Sequence, residues 1–171
     1  MELTDVLDQR FSVRDYKDEP VPDDLLEKVL EAGRIAPTGH NNQPQRIYVL
    51  RSPEALEKVR GLSRCAWNAP VVLMVALDED AQWHNRLEAG VASGQQDVGI
   101  VTTYMMLRAQ DLGLGTCWVN FFAPTEVARA FDLPAGQRVI ALLTLGYPSD
   151  GARPGPMHEP RKPMGELVTY L

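Results

Sequence analysis

The sequence has few residues that could support a metal centre or a disulfide framework. Its 171 residues include only two cysteines, Cys65 and Cys117, and neither belongs to a CxxC pair. Its three histidines, His40, His84 and His158, lack metal-ligand spacing. We therefore expect neither a zinc site nor a set of disulfides, and two free thiols favour a reducing compartment.

Long apolar runs and an excess of positive charge are absent as well. The longest strongly apolar run, residues 71–77, is too short to cross a membrane, and the acidic first residues contain no signal-peptide core. The formal net charge of -6 argues against general nucleic-acid binding, which depends on neutralising phosphates. With 44% hydrophobic residues, the chain fits one soluble domain over 1–171. We expect a cytoplasmic protein with no nucleic-acid or membrane partner.

Hydrophobic periodicity predicts helices that alternate with strands. Helices are indicated near residues 3–7, from Pro22 to Pro37, from Ser52 to Leu62, over 86–112 and over 124–131; strands are indicated over 47–50, 70–77, 116–119 and 139–145. Such alternation alone favours a doubly wound parallel sheet, although periodicity does not fix strand direction. After Tyr147, prolines favour an extended arm over 149–163. We expect its apolar tip, 167–171, to reach a partner subunit; the alternative is that the arm folds back on its own domain.

Two segments carry unusual chemistry for an acidic chain. Arg10, Ser12 and Arg14 concentrate positive charge and a hydroxyl near the start, which suits a small anion such as a phosphate. Residues 36–44, with the sequence APTGHNNQP, offer amides, a hydroxyl and accessible backbone. These groups suit the hydrogen-bonding edge of a polar ring.

Together with two later stretches, these segments resemble the signature of the nitroreductase-like flavoproteins. Four motifs occur in order: RxSxRxY at 10–16, APTxxNxQP at 36–44, GLGTCWV at 113–119, and LGYP at 145–148 followed by RKP at 161–163. The resemblance covers nearly the whole chain, and four ordered motifs are much harder to obtain by chance than one. It implies an α+β fold with a mixed, largely antiparallel sheet flanked by helices, and FMN at a homodimer interface. We adopt this fold over the parallel sheet.

The resemblance also implies a set of cofactor-binding residues. This set is Arg10, Phe11, Ser12, Arg14, Pro37, Thr38, Asn41, Gln43, Val119, Asn120, Arg161 and Lys162. Arg10 and Arg161 match arginines that bind the FMN phosphate, where Lys162 assists and Ser12 donates to a phosphate or ribityl oxygen. Arg14 matches a basic residue near N1 and O2 of the flavin, where a cation stabilises the negative charge of the reduced ring.

Other members of the set match contacts to the rest of the cofactor. Pro37 and Thr38 match ring-packing and ribityl contacts that a partner subunit often supplies, and Asn41 and Gln43 are polar contacts. The pair 119–120 follows the position where the family offers a backbone N–H near flavin N5. His40 lies in the same loop and either faces the substrate or lies on the surface.

The implied activity is that of an FMN-dependent NAD(P)H oxidoreductase. NADH or NADPH delivers a hydride to flavin N5 and leaves, and a nitroaromatic, a quinone or a similar small acceptor is then reduced at the same site. No catalytic side chain is required. The alternatives are reductive dehalogenation or flavin fragmentation on the same fold, or a flavin-binding module without turnover. The short segment 78–94, with Trp83 and His84, predicts an open pocket.

Overall fold

A computed structural model describes all 171 residues, which form six α-helices and four β-strands. The helices are α1 (Leu3–Gln9), α2 (Asp23–Ile35), α3 (Pro53–Leu62), α4 (Gly94–Asp111), α5 (Pro124–Ala130) and α6 (Met164–Leu167). The strands are β1 (Gln45–Leu50), β2 (Val71–Asp78), β3 (Gly115–Val119) and β4 (Gln137–Gly146). None of the helices combines the length and the hydrophobicity that crossing a membrane requires.

The strands form one sheet in the order β1-β2-β4-β3, and every neighbouring pair is antiparallel. A single parallel bridge joins Ser12 to Thr116 at the β3 edge. The α+β fold implied by the family resemblance is confirmed, and the parallel sheet favoured by alternation alone is wrong. The apolar run of β2 does not indicate whether its neighbours are parallel or antiparallel, because a central strand covered on both faces is continuously apolar in either case.

Two apolar clusters cover the two faces of the sheet. On one face, α2 and α4 pack through Val29, Val101 and Met105 onto Leu73 and the other β2 and β4 side chains of that face. On the other face, α3 and α5 pack onto a second set that includes Val72. The alternation of buried side chains between the two faces is what the two-residue period of a strand requires.

The helix ends follow the local chemistry. The Ser52 hydroxyl caps α3 by accepting the Ala55 backbone N–H at 3.2 Å, with Pro53 in the first turn. At the other end of α4, Gly113 adopts φ 78°, a left-handed conformation that suits glycine and stops the helix.

The start of α4 differs from the sequence prediction. The helix begins at Gly94, whereas the apolar pattern indicated Arg86. The intervening residues form a compact turn in which the Asn85 N–H donates to the Val91 carbonyl at 2.9 Å and Gly90 adopts φ 84°. The segment between β2 and α4 is therefore an irregular excursion of the chain.

The N-terminal segment and the C-terminal arm meet at the β3 edge. The Val13 N–H donates to the Thr116 carbonyl at 2.9 Å, and the Ser149 N–H donates to the Asp15 carbonyl at 3.1 Å. The arm folds back against its own domain as far as Arg161, because His158 packs edge-on against the Phe11 ring with centroids 6.5 Å apart. Residues 162–171 are exposed.

Candidate functional site

A cleft of about 470 Å³ opens between the N-terminal segment and the C-terminal arm. Arg10, Ser12 and Arg14 form one wall, and Arg161 and His158 belong to the arm side. Four residues that the sequence analysis associated with phosphate are thus brought to one place, although Arg161 is about 150 positions away from the others in the chain. This cleft is hereafter called the arginine cleft.

None of the three guanidinium groups in the arginine cleft forms an ion pair within the chain. Arg14 donates to the Ser12 carbonyl at 3.2 Å, and Arg161 donates to the Pro160 and His158 carbonyls. Three cations therefore face one concavity without an internal counter-charge. Such a concavity suits a multiply charged anion, because guanidinium groups match phosphate oxygens in geometry and charge.

A buried tyrosine holds the cleft wall against the sheet. The Tyr16 hydroxyl donates to the Val13 carbonyl at 2.8 Å and lies 2.6 Å from the Thr144 hydroxyl. The Asn68 side chain pairs with both backbone groups of Tyr16, at 3.1 and 2.8 Å. Burial raises the pKa of the Tyr16 phenol, so its proton is retained. The tyrosine thereby fixes the register of the segment that carries Arg10 and Arg14.

A strained tryptophan supports Arg14. The Arg14 guanidinium carbon lies 5.8 Å from the centroid of the Trp67 ring, in a cation–π arrangement. Trp67 itself adopts φ 44° and ψ −143°, a conformation that bulky residues rarely occupy. Beneath the wall, burial raises the pKa of the Cys117 thiol, and nearby Arg14 opposes that shift. The thiol is a neutral packing group.

Two members of the expected set lie at or beyond the margin of the cleft. Phe11 packs against His158 of the arm. Lys162 does not belong to the cleft; its Nζ lies 3.6 Å from Glu166 Oε2, and both side chains are exposed.

The loop 37–43 has a compact geometry of its own. The Gln43 N–H donates to the Thr38 hydroxyl oxygen at 3.0 Å, and the Asn41 N–H donates to the Thr38 carbonyl at 2.9 Å. His40 stacks on Trp83, with ring centroids 5.8 Å apart and planes 12° from parallel. The excursion between β2 and α4 therefore lies against this loop. His40, whose role the sequence left open, is exposed and faces Trp83.

The loop 37–43 and the arginine cleft lie at different corners of the sheet. The loop precedes Gln45, which pairs with Leu77 at the end of β2, whereas Ser12 bridges to Thr116 beyond the far edge. Four inter-strand spacings, about 19 Å in total, separate β1, which the loop precedes, from the segment that contains Ser12. The loop and this segment also lie at opposite ends of the strands. Within one chain, the two groups therefore do not form one pocket.

The remaining expected pair lies at the end of β3. Val119 is buried and pairs with Leu142, and exposed Asn120 follows directly. The Asn120 Oδ1 accepts the Trp118 indole N–H at 2.8 Å. The side chain of Asn120 is thus held by its neighbour, and the backbone of this pair lies at the open edge of the sheet.

Comparison with known proteins identifies the family. The model of the nitroreductase family matches residues 7–68 and 59–147. The chain belongs to the nitroreductase family. A similar curated relative is an NADH dehydrogenase of Thermus thermophilus, which is 33% identical over 179 residues, with 85% of this chain and 86% of the relative covered.

Solved nitroreductase-family structures resemble this chain along its length. A nitroreductase family protein from Clostridium difficile has a TM-score of 0.92 and 37% identity, covering 99% of this chain and 98% of its own. A nitroreductase from Desulfovibrio desulfuricans, solved in complex with FMN, has a TM-score of 0.82 and 28% identity, covering 100% of this chain and 97% of its own. These likenesses extend through the arm that closes the arginine cleft.

Three residues near the candidate sites of this nitroreductase-family chain escaped the sequence analysis. His158 belongs to the arginine cleft, Trp67 supports Arg14, and Asp97 contacts the loop 37–43. Only Asp97 has a readable signal, since it is a carboxylate on the otherwise apolar face that carries Val98 and Val101. The positive φ of Trp67 has no signature in the sequence.

Proposed function

We propose that this chain is an FMN-dependent NAD(P)H oxidoreductase that reduces a nitroaromatic, a quinone or a similar small acceptor. The observation that carries the proposal is the arginine cleft, where Arg10, Arg14 and Arg161 converge with Ser12 and have no internal counter-charge. A phosphate monoester would supply the missing negative charge. The FMN bound to the Desulfovibrio desulfuricans relative supports the same ligand here.

Different residues of the cleft bind different parts of the cofactor. Arg10 and Arg161 hold the phosphate, with Ser12 as a further donor, and an ion pair at 4 Å contributes about 4 kcal/mol at an effective dielectric of 20 before desolvation. Arg14, which is held in a cation–π contact by Trp67, lies beside the flavin ring in this arrangement. FMN, when bound, accepts a hydride from NAD(P)H and passes the electron pair to the acceptor. Water supplies protons, so no side chain acts as the acid or base.

We also propose that the functional unit is a homodimer. The loop 37–43 lies about 19 Å sideways from the arginine cleft within one chain, so a second copy would have to bring the loop to the cofactor. Apolar side chains suited to such an interface are exposed: Ile100 and Tyr104 on α4, and Leu167 in the arm tip. The free thiols of Cys65 and Cys117 suit the cytoplasm, where we locate the protein.

The test of the activity is anaerobic reduction of the purified holoprotein by NADH and by NADPH, followed by nitroaromatic, quinone and halogenated-phenol acceptors. Bleaching of bound flavin by a nicotinamide and recovery of its colour with a nitroaromatic or quinone are expected. A protein that retains no FMN after soaking and desalting would overturn the cofactor. Bound flavin that neither nicotinamide reduces would favour a binding module, and recovery only with the halogenated phenol would favour dehalogenation.

The test of the shared site is subunit mixing. One variant, Arg10→Ala with Arg161→Ala, removes two arginines of the cleft, and the other, Gly39→Ala, displaces the loop. Activity is measured at an FMN concentration below the wild-type dissociation constant, where sites with either change are mostly empty. After unfolding together and refolding, random pairing would restore about a quarter of the wild-type sites, because each mixed dimer then contains one intact site. Activity no greater than the sum of the two separate variants would show that each chain builds its site alone.

A further inference from the structure

The loop 37–43 stores backbone strain. His40, Asn41 and Gln43 have φ angles of 52°, 56° and 52°, which lie in the left-handed region. Such conformations persist only where the surroundings impose them, because they are energetically unfavourable for residues other than glycine. Asparagine tolerates this region better than the other two residues. The loop therefore needs an anchor outside its own hydrogen bonds.

The anchor is a buried carboxylate in the first turn of α4. Asp97 is 3% exposed; its Oδ1 accepts the Gly39 backbone N–H at 2.8 Å, and its Oδ2 accepts the Ser93 hydroxyl at 2.6 Å. No lysine, arginine or histidine forms an ion pair with it. These two donors are therefore the polar partners that hold the buried carboxyl group in place.

Contacts around Gly39 allow little freedom at this point. A Cβ at Gly39 would lie 2.6 Å from Ser93 Oγ and 3.1 Å from Trp83 Cβ. The Ser93 N–H donates to the Trp83 carbonyl at 3.0 Å, and Trp83 stacks on His40. The carboxylate, the serine and the tryptophan thus hold one end of the loop from three sides.

We propose that Asp97 is a positioning residue that fixes the loop 37–43 in the conformation that contacts the flavin ring. The inference rests on the proposed function, since the loop supplies ring and ribityl contacts there. Asp97 acts through Gly39 and touches no part of the cofactor. Asp97 therefore contributes to the binding of the flavin ring, whereas the arginine cleft binds the phosphate.

The two contributions separate when FMN is compared with riboflavin, which lacks the phosphate. With flavin-free full-length protein, quenching of flavin fluorescence gives both dissociation constants. Asp97→Ala is expected to weaken the binding of FMN and of riboflavin by the same factor, at least about tenfold, because a hydrogen bond to a charged group is lost. In Asp97→Asn, the amide oxygen can still accept the Gly39 N–H and the amide NH2 group can donate to the Ser93 oxygen. This variant is therefore expected to lose less than about threefold in flavin affinity. Glu57→Ala, exposed on α3, is the control.

A second measurement reports on the clamp without any flavin. Hydrogen exchange of the peptide that contains Gly39 is expected to accelerate in Asp97→Ala and to stay near wild type in Asp97→Asn. Ser93→Ala, which removes one hydroxyl, gives an intermediate effect and serves if Asp97→Ala does not fold. Unchanged exchange at Gly39 in Asp97→Ala and in Ser93→Ala would overturn the proposal, and so would a loss of FMN affinity without a matching loss of riboflavin affinity. If the wild type binds neither flavin, the proposed function fails while exchange still tests the clamp.

Discussion

The arginine cleft and the loop 37–43 are built on opposite physical principles. The cleft gathers charged side chains from two surface segments, and Arg14 and Arg161 make no polar contact except with nearby carbonyl groups. The loop contains no aspartate, glutamate, lysine or arginine, and its shape is set by backbone conformation and by the buried carboxylate of Asp97. Charge defines one region and geometry defines the other.

The difference predicts different sensitivities. Binding by exposed charges weakens as salt screens them, whereas a hydrogen-bonded, buried clamp responds little to ionic strength. Likewise, loss of Arg10 or Arg161 removes affinity for the phosphate alone, whereas a displaced loop affects the binding of any ligand with the same ring. Substitutions on each side can therefore be distinguished by salt and by comparison of FMN with riboflavin.

The largest effect is expected from removing charge from the cleft. Arg10→Ala combined with Arg161→Ala is expected to weaken FMN binding by at least about a hundredfold, because each charge-assisted hydrogen bond contributes about 1.5–3 kcal/mol. Riboflavin binding should stay near wild type, and most of the salt dependence of FMN binding should disappear. Titration calorimetry at two salt concentrations measures both. Arg153→Ala is the matched control, since Arg153 lies on the same arm and donates only to the Asp150 and Ala152 carbonyls. An equal loss for riboflavin would mean that the cleft also shapes the ring site.

A smaller effect, about tenfold, is expected from moving the loop. Gly39→Ala places a methyl group 2.6 Å from Ser93 Oγ, so the serine or the loop has to shift, and the cost is of the order of 1–2 kcal/mol. The affinities for FMN and riboflavin should fall by the same factor, and the salt dependence of FMN binding should change little. Gly61→Ala, where the new Cβ meets nothing within 4 Å, is the control. Weakening confined to FMN would contradict the division between the two regions.

The support beneath the cleft is expected to contribute about 1 kcal/mol. Tyr16→Phe removes the hydroxyl that bonds the Val13 carbonyl, so the free energy of unfolding in urea should fall by about that amount at pH 8. Burial raises the pKa of Tyr16, whereas an unfolded tyrosine ionises near pH 10. Above pH 10 the unfolded state therefore binds fewer protons, and wild-type stability falls by up to about 1.4 kcal/mol per pH unit. The Tyr16→Phe variant should lack this contribution, so the two curves should converge. Tyr170→Phe, at a side chain that is 94% exposed, should not alter the curve.

The sequence revealed the region that depends on charge more fully than the region that depends on geometry. Arg10, Ser12 and Arg14 stand out in an acidic chain, and the motif around Arg161 completed the set that the structure gathers into one cleft. Most strands and helices also followed from apolar periodicity, since burial on one or two faces leaves a direct pattern.

The parts that the sequence did not reveal depend on contacts between distant residues. The clamp joins Gly39 to Asp97 across 58 positions, and the pattern placed Asp97 well inside a helix that begins only at Gly94. The left-handed φ of Trp67 is likewise imposed by its surroundings, because nothing in the residue type favours it. The sequence did not predict strand direction for the same reason, since the pairing partners determine the direction and the periodicity does not.

The smallest effect is expected at Lys162, and it tests how far the charge of the cleft extends. The sequence resemblance gives Lys162 a supporting role at the phosphate, but the structure places it outside the cleft, 3.6 Å from Glu166 and exposed. A surface pair of this kind contributes about 0–1 kcal/mol. Lys162→Ala is therefore expected to change FMN affinity less than about twofold, measured by the same calorimetry beside Arg161→Ala. A loss as large as that of Arg161→Ala would mean that the arm after Pro160 rearranges when FMN binds, and the cleft would then be completed by its ligand.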